Sequence, residues 1–280
     1  MLKHRIISFP LLLALAFLVV CWKDGGPWIF AALVLPITLA AVIELANIAR
    51  NLGLMVNLPV AAIAALLVMA KYGTAGFLQK YSFALPSALT VAVILFVLLM
   101  LMLLFDRNRE RAVKQLFATP GIAGAALLIV LPLSRIYFEY GAMIFLALVL
   151  CTKASDTGGY IVGMISNKLI KNGNHKIVPS ISPKKSWEGT VGAAVFSIVT
   201  ALIFASCGVL TMPIYGVCIF GFLAFLGSFA GDLTESQLKR AAGIKDSAHW
   251  IPGMGGILDV IDSFIYNAPL FYLIFSSKGI

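Results

Sequence analysis

The sequence predicts an all-α polytopic integral membrane protein of about nine transmembrane helices, N-terminus in and C-terminus out. Composition is the first observation behind this. Of 280 residues, 61% are hydrophobic and 12% charged, with a mean hydropathy of +0.99, whereas a soluble domain carries about 25% charged residues. The second is a series of nine apolar runs, near 5–22, 27–48, 53–70, 84–105, 119–134, 139–155, 190–210, 213–235 and 257–276. A bilayer crossing takes about 20 apolar residues. A lipid-facing backbone must satisfy its own hydrogen bonds, which makes these runs helices. The third is charge. Nine spans put sixteen of the 21 Lys and Arg on the side of the N-terminus and five on the other, the asymmetry that marks a cytoplasmic face. The net charge of +9 is therefore read as membrane topology and affinity for anionic headgroups, not as nucleic-acid binding.

In chain order, residues 1–80 read as N-terminal transmembrane helices and 81–138 as middle ones. Residues 139–280 read as a C-terminal catalytic transmembrane region. The first run follows Lys3 and Arg5 and is taken as a span, not as a cleaved leader. The C-terminal region carries two inner-side loops, 156–189 and 236–256. Few residues separate the seventh and eighth runs, which predicts a tight antiparallel helix hairpin. Cys21, Cys151, Cys207 and Cys218 all lie in apolar stretches without a CxxC, and read as small buried hydrophobes.

Most of the chemistry-bearing side chains fall in or beside those two loops. Seven of the 12 acidic residues are Asp156, Glu188, Asp232, Glu235, Asp246, Asp259 and Asp262. Acids at the ends of spans are costly and usually functional. Asp232 and Glu235 close the eighth run, and Asp259 and Asp262 open the ninth. The three-residue spacing puts each pair on one helical face. Four converging carboxylates repel unless a cation sits between them, and hard oxygen donors at an open site favour Mg²⁺ with phosphate oxygens. N-capping alone accounts for Asp259, but not for Asp232 and Glu235 at a helix C-terminal end, where the dipole disfavours anions. Glu44 and Asn47, one turn apart at the inner end of the second run, either face the site or bond each other.

Lys184, Lys185 and Ser186 in "SISPKKSWEGT" and Gly255 and Gly256 in "PGMGG" add lysines and close backbone approach before a helix N-terminus. That is a phosphate-friendly pairing, although no GK[ST] follows and it is not a Walker A loop. With the carboxylates, these residues point to a polyphosphate held by lysines and Mg²⁺.

The stretch from Ser236 through Lys239, Arg240, Lys245 and Asp246 to Gly255, Gly256, Asp259 and Asp262 resembles the motif of the phosphatidate cytidylyltransferases, or CDP-diacylglycerol synthases. "SDTGGY" at 155–160 and "SPKKSWEG" at 182–189 resemble that family's other inner-side segments. The likeness covers about the last 130 residues, and the first half matches only as a run of spans. The resemblance implies a Mg²⁺-dependent membrane enzyme joining CTP and phosphatidate to give CDP-diacylglycerol and pyrophosphate. It implies Asp232 and Asp259 as metal-holding aspartates and a homodimer, and leaves open a second, monovalent cation such as K⁺. It places the protein in the bacterial inner membrane with its active site facing the cytoplasm. Asp262 and Lys239 join Asp232 and Asp259 as expected catalytic residues. Lys184, Lys185, Ser186, Ser236, Arg240, Lys245, Asp246, Gly255, Gly256 and Asp156 are expected at the substrates. Two departures stand out. The family's His-Gly-Gly reads Met254-Gly255-Gly256, and its Asp-Arg reads Asp259-Val260, so no role passes to a His or Arg there. Gly159 also stands where the family has Ala. A CTP-dependent kinase of a membrane alcohol such as a polyprenol, an inactive family member and an ion-coupled transporter stay open. Transporter acids, however, sit near the bilayer midplane.

Overall fold

The structure is a computed structural model that describes residues 17–74, 77–78, 88–105, 108–171, 173–179, 182–183, 185–251 and 255–277. The described elements are helices: α1 (Gly26–Asn51), α2 (Leu58–Val68), α3 (Ala88–Phe105), α4 (Arg109–Arg135), α5 (Ala142–Leu169), α6 (Trp187–Ser206), α7 (Ile214–Ala241), α8 (Ile257–Ile261) and α9 (Phe264–Ser277). One turn of π-helix follows α2 (Met69–Gly73) and another follows α4 (Ile136–Tyr140). Among the described residues β-structure is limited to two isolated bridges, Lys176 with Ser186 and Ile251 with Gly255.

Five helices are long and apolar enough to cross a bilayer: Gly26–Asn51, Glu110–Tyr140, Ala142–Leu169, Trp187–Ser206 and Ile214–Ala241. Leu58–Gly73, Thr90–Leu101 and Phe264–Ser277 are apolar but shorter. By length and composition this is a multi-pass membrane protein. The first expected run lies largely outside the described residues.

Two expected loops are shorter than the sequence suggests. Helix α5 continues to Leu169, so residues 156–169 are helical. Helix α7 continues to Ala241, so Asp232, Glu235, Ser236, Lys239 and Arg240 all stand on it. Apolar runs mark only the part of a helix that faces lipid, and small and polar residues carry both helices beyond it. The expected single helix over Asp259 and Asp262 is broken. Asp259 belongs to α8, and Asp262 lies in the two-residue break before α9, where Ser263 N–H donates to its side-chain Oδ1 at 2.6 Å.

The chain forms two compact units, Met1–Glu139 with Ala241–Val260, and Tyr140–Arg240 with Ile261–Ile280. In the first unit, α1 packs on α2 and α4, and α3 on α2 and α4. Asn57 caps α2 through its side chain and donates its own N–H to Thr119 Oγ1 of α4 at 3.0 Å. Ser134 bonds the Gly73 carbonyl at 2.8 Å, and the Tyr137 hydroxyl bonds the Val19 carbonyl at 2.7 Å. Phe30 stacks on Tyr137. In the second unit, α5 and α6 meet along Gly158, Gly159, Gly163, Gly189 and Gly192, small residues that let two helices approach without side chains between them. The seven residues between α6 and α7 make the expected hairpin. It is pinned where Ser197 Oγ donates to the Gly221 carbonyl at 2.7 Å.

Candidate active site

In the second unit α7 supplies Asp232 and Glu235, one turn apart on its inward face. Gly231 precedes them, and a Cβ there would stand 2.3 Å from the Asp262 carbonyl oxygen. The bare backbone lets the segment before α9 lie against α7. One oxygen each of Asp232, Glu235 and Asp262 then lies within 4.8 Å of the others. Asn267, fully buried one turn into α9, fixes this approach by donating to the Ala224 carbonyl at 2.8 Å and to Thr152 Oγ1 of α5 at 3.1 Å.

Cations surround the trio. Lys185 Nζ lies 2.9 Å from Asp232 Oδ2, donates to the Phe229 carbonyl at 3.2 Å and sits 4.3 Å over the Phe229 ring. Lys239 pairs with the buried Glu235 at 2.5 Å. Ser236 donates to Asp232 Oδ1 at 3.3 Å. A second strand of polar contacts runs from α5. Ser228 donates to Asp156 Oδ1 at 2.5 Å. Ser263 Oγ lies 2.9 Å from both Asp156 Oδ2 and Asp262 Oδ1, and Lys153 Nζ lies 3.3 Å from Asp156 and 3.1 Å from Ser263 Oγ. Burial pushes the Asp262 carboxyl up to about 6. Lys153 pulls it back, while Asp232 and Asp156 push it further up. Close carboxylates in partial burial are favoured by nearby cations, here Lys185 and Lys239, and the three oxygen donors could also hold a hard ion such as Mg²⁺.

Asp259 belongs to the first unit. Its Oδ2 accepts from Ser247 N–H at 3.0 Å and Gly256 N–H at 2.7 Å, and lies 2.9 Å from Ser247 Oγ. The expected glycines make room for carboxylates. Gly255 has φ +94, and a Cβ on it would meet Asp259 Oδ2 at 2.4 Å; one on Gly256 would meet Glu44 Oε2 at 2.3 Å. Lys245 and Asp246 lie exposed on the loop before Ser247, and Arg240 is exposed at the end of α7. Ser186 is buried as the N-cap of α6, accepting from Gly189 N–H at 3.2 Å and from Asn174 Nδ2 at 3.0 Å. Lys184 and Met254 lie outside the described residues.

Of the expected residues, the second unit thus gathers Asp232, Asp262, Lys185, Lys239, Ser236 and Asp156 around one centre. Asp259, Gly255 and Gly256 gather around another in the first unit. Sequence reasoning passed over Lys153, Ser228 and Ser263. Lys153 carried a signal, being a cation inside an apolar run. The serines carried none.

The cytidylyltransferase family profile matches residues 3–277. The phosphatidate cytidylyltransferase of Mycobacterium bovis is 41% identical over 133 residues, which is 48% of this chain and 41% of that protein. That of Haemophilus influenzae is 38% identical over 136 residues, 47% of this chain and 45% of that protein. Chloroplastic phosphatidate cytidylyltransferase 4 of Arabidopsis thaliana is 42% identical over 119 residues, 42% of this chain and 29% of that protein. The matched stretch spans less than half the length of each of these relatives. The profile covers almost the whole chain, and the protein belongs to the cytidylyltransferase family.

Proposed function

We propose that the protein is a phosphatidate cytidylyltransferase, converting CTP and phosphatidate to CDP-diacylglycerol and pyrophosphate for phospholipid synthesis. The observation that carries this reading is the acid trio Asp232, Glu235 and Asp262, with Lys185 on Asp232, gathered at the membrane-length helix α7. Such helices keep a lipid substrate within reach of a polar site that suits a nucleotide's phosphates.

In this reading a phosphatidate oxygen attacks the α-phosphorus of CTP. The bond from that phosphorus to the α,β-bridging oxygen breaks, and pyrophosphate leaves with the electron pair. The phosphate monoester is an anion near neutral pH, so the reaction needs charge neutralisation and alignment more than a base. Bound Mg²⁺ would supply part of that, neutralising the triphosphate and polarising the α-phosphoryl group. Asp232, with Asp262 and Glu235, would hold it here, and Asp259 is the further aspartate that the sequence pattern assigns to it. Lys185, beside Asp232, would offer its ammonium to phosphate oxygens. Lys239 keeps Glu235 compensated, and Ser236 orients Asp232. Lys184, Arg240 and Lys245 add positive charge for the triphosphate and the lipid phosphate. The acyl chains stay in the bilayer. The inner membrane, a cytoplasmic site and a homodimer complete the proposal.

The test is a purified-protein assay with labelled CTP, phosphatidate and Mg²⁺. CDP-lipid and pyrophosphate should form in equal amounts and stop with EDTA. CDP in place of CDP-lipid would sink the proposal in favour of a kinase.

A further inference from the structure

Asp232, Glu235, Asp262 and Asp259 have a place in the proposed chemistry. Glu44, a carboxylate of the first unit, has none. Glu44 stands in α1, fully buried, about 200 residues before the stretch that carries the motif. A buried charge is tolerated where donors surround it, and here they do. Glu44 Oε1 accepts from Ile257 N–H at 2.8 Å. Its Oε2 accepts from Leu258 N–H at 2.8 Å and from Ser247 Oγ at 2.6 Å. Ile257 and Leu258 open α8, and the first amides of a helix have no partner within it. Ser247 Oγ also lies 2.9 Å from Asp259 Oδ2, so one hydroxyl spans the two carboxylates. Gly256 is the residue that permits it, because a Cβ would stand 2.3 Å from both Glu44 Oε2 and Ser247 Oγ. Residues 44, 247 and 256–259 thus meet on two acids.

We infer that Glu44 is a positioning residue: it clamps Ser247 and the start of α8, and thereby sets the Asp259 carboxylate. This rests on the reading of the chain as a Mg²⁺-dependent cytidylyltransferase in which Asp259 serves the metal. Gln at position 44 keeps the volume but has one acceptor oxygen and one NH₂ group. In either orientation it sets NH₂ against a backbone N–H, so it breaks the clamp without opening a cavity.

The experiment compares full-length wild type, Glu44→Gln and Ser247→Ala by two measurements. The first is amide hydrogen exchange over residues 242–261. The second is turnover against Mg²⁺ concentration at saturating CTP. Glu44→Gln should raise exchange at Ile257 and Leu258 at least about tenfold and leave α5 to α7 unchanged. The half-saturating Mg²⁺ should rise about 10–100-fold, the usual effect of losing a group that orients a metal ligand, with turnover recovering at high Mg²⁺. A merely structural role would lower the amount of active protein and leave the Mg²⁺ midpoint in place. Should Glu44→Gln fail to insert, Ser247→Ala carries the test. It keeps both backbone bonds of Glu44 and should shift the same midpoint in the same direction by less. Unchanged exchange, or raised exchange with an unmoved Mg²⁺ midpoint, overturns the inference. If wild type makes no CDP-lipid, the functional reading fails instead, and Mg²⁺ protection of the same amides, weaker in Glu44→Gln or not, still decides the clamp.

Discussion

A Cβ on Gly231 would lie 2.3 Å from the Asp262 carbonyl, so the third acid reaches the first two because one residue lacks a methyl group. Once there, Asp262 is held against its own preference. It is partly buried, near Asp232 and Asp156, and its carboxyl is raised to about 6. Asp262→Asn removes a charge that the metal-free fold tolerates poorly and keeps an oxygen for the Ser263 N–H. The expected outcome is a melting temperature in EDTA equal to or above wild type, with activity at least about 10–100-fold lower. A parallel fall of stability and activity would mark Asp262 as structural. The sequence named the acids of this trio because an acid at a span end has few other reasons to be there. It read Gly255 and Gly256 only as close backbone approach for phosphate. Their lost methyl groups make space for Asp259 and Glu44, and Glu44 lies about 200 residues from them in the chain. No local pattern connects positions so far apart.

At the scale of elements, the close pairing of α5 and α6 carries Asp156 and Lys153 on one helix and follows Lys185 and Ser186 on the other. The glycines along it are not equivalent. A Cβ on Gly189 would meet the Gly159 carbonyl oxygen at 2.8 Å, and backbone cannot step aside. A Cβ on Gly159 would meet Ala193 Cβ at 3.4 Å and the Gly189 carbonyl oxygen at 3.5 Å, ordinary contacts. Gly189→Ala should therefore destabilise by about 1–3 kcal/mol through overpacking. Gly159→Ala should be neutral or stabilising by up to about 1 kcal/mol, since Ala is the better helix former. Thermal unfolding of both variants in the same detergent checks this, and equal losses would refute the asymmetry. The alanine expected at position 159 from the family pattern thus fits the space. Hydropathy located the helices because lipid demands a long apolar stretch. It lost their ends because α5 beyond Ser155 and α7 beyond Gly231 turn to small and polar residues that face protein or water, and apolar counting cannot separate such a continuation from a loop.

At the scale of the whole molecule, the two compact units are each discontinuous in sequence: 241–260 packs with the N-terminal helices, and the chain returns to the second unit at Ile261. The signature loop therefore depends on helices that carry little of the signature. Glu44 holds it from α1, while Asp259 Oδ2 accepts from Ser247 N–H and Gly256 N–H, and Ile251 and Gly255 exchange two backbone hydrogen bonds. A chain starting at residue 140 keeps Asp232, Glu235, Asp262, Lys185 and the α5–α6 pairing, but loses Glu44, which bonds Ser247, Ile257 and Leu258. Such a fragment should insert, because α5, α6 and α7 are each long and apolar enough to span. It should leave the loop open. Lys245 is exposed in the folded chain, but a protease needs several residues around it unfolded, so cleavage reports the local opening equilibrium. Trypsin should cut after Lys245 at least about tenfold faster in the fragment than in the full chain. Co-expression of residues 1–139 should restore protection, and co-expression of 1–139 with Glu44→Gln should not. Equal cleavage in fragment and full chain, read by mass spectrometry of the products, would show that the loop holds its own shape and that the N-terminal helices serve only as anchors.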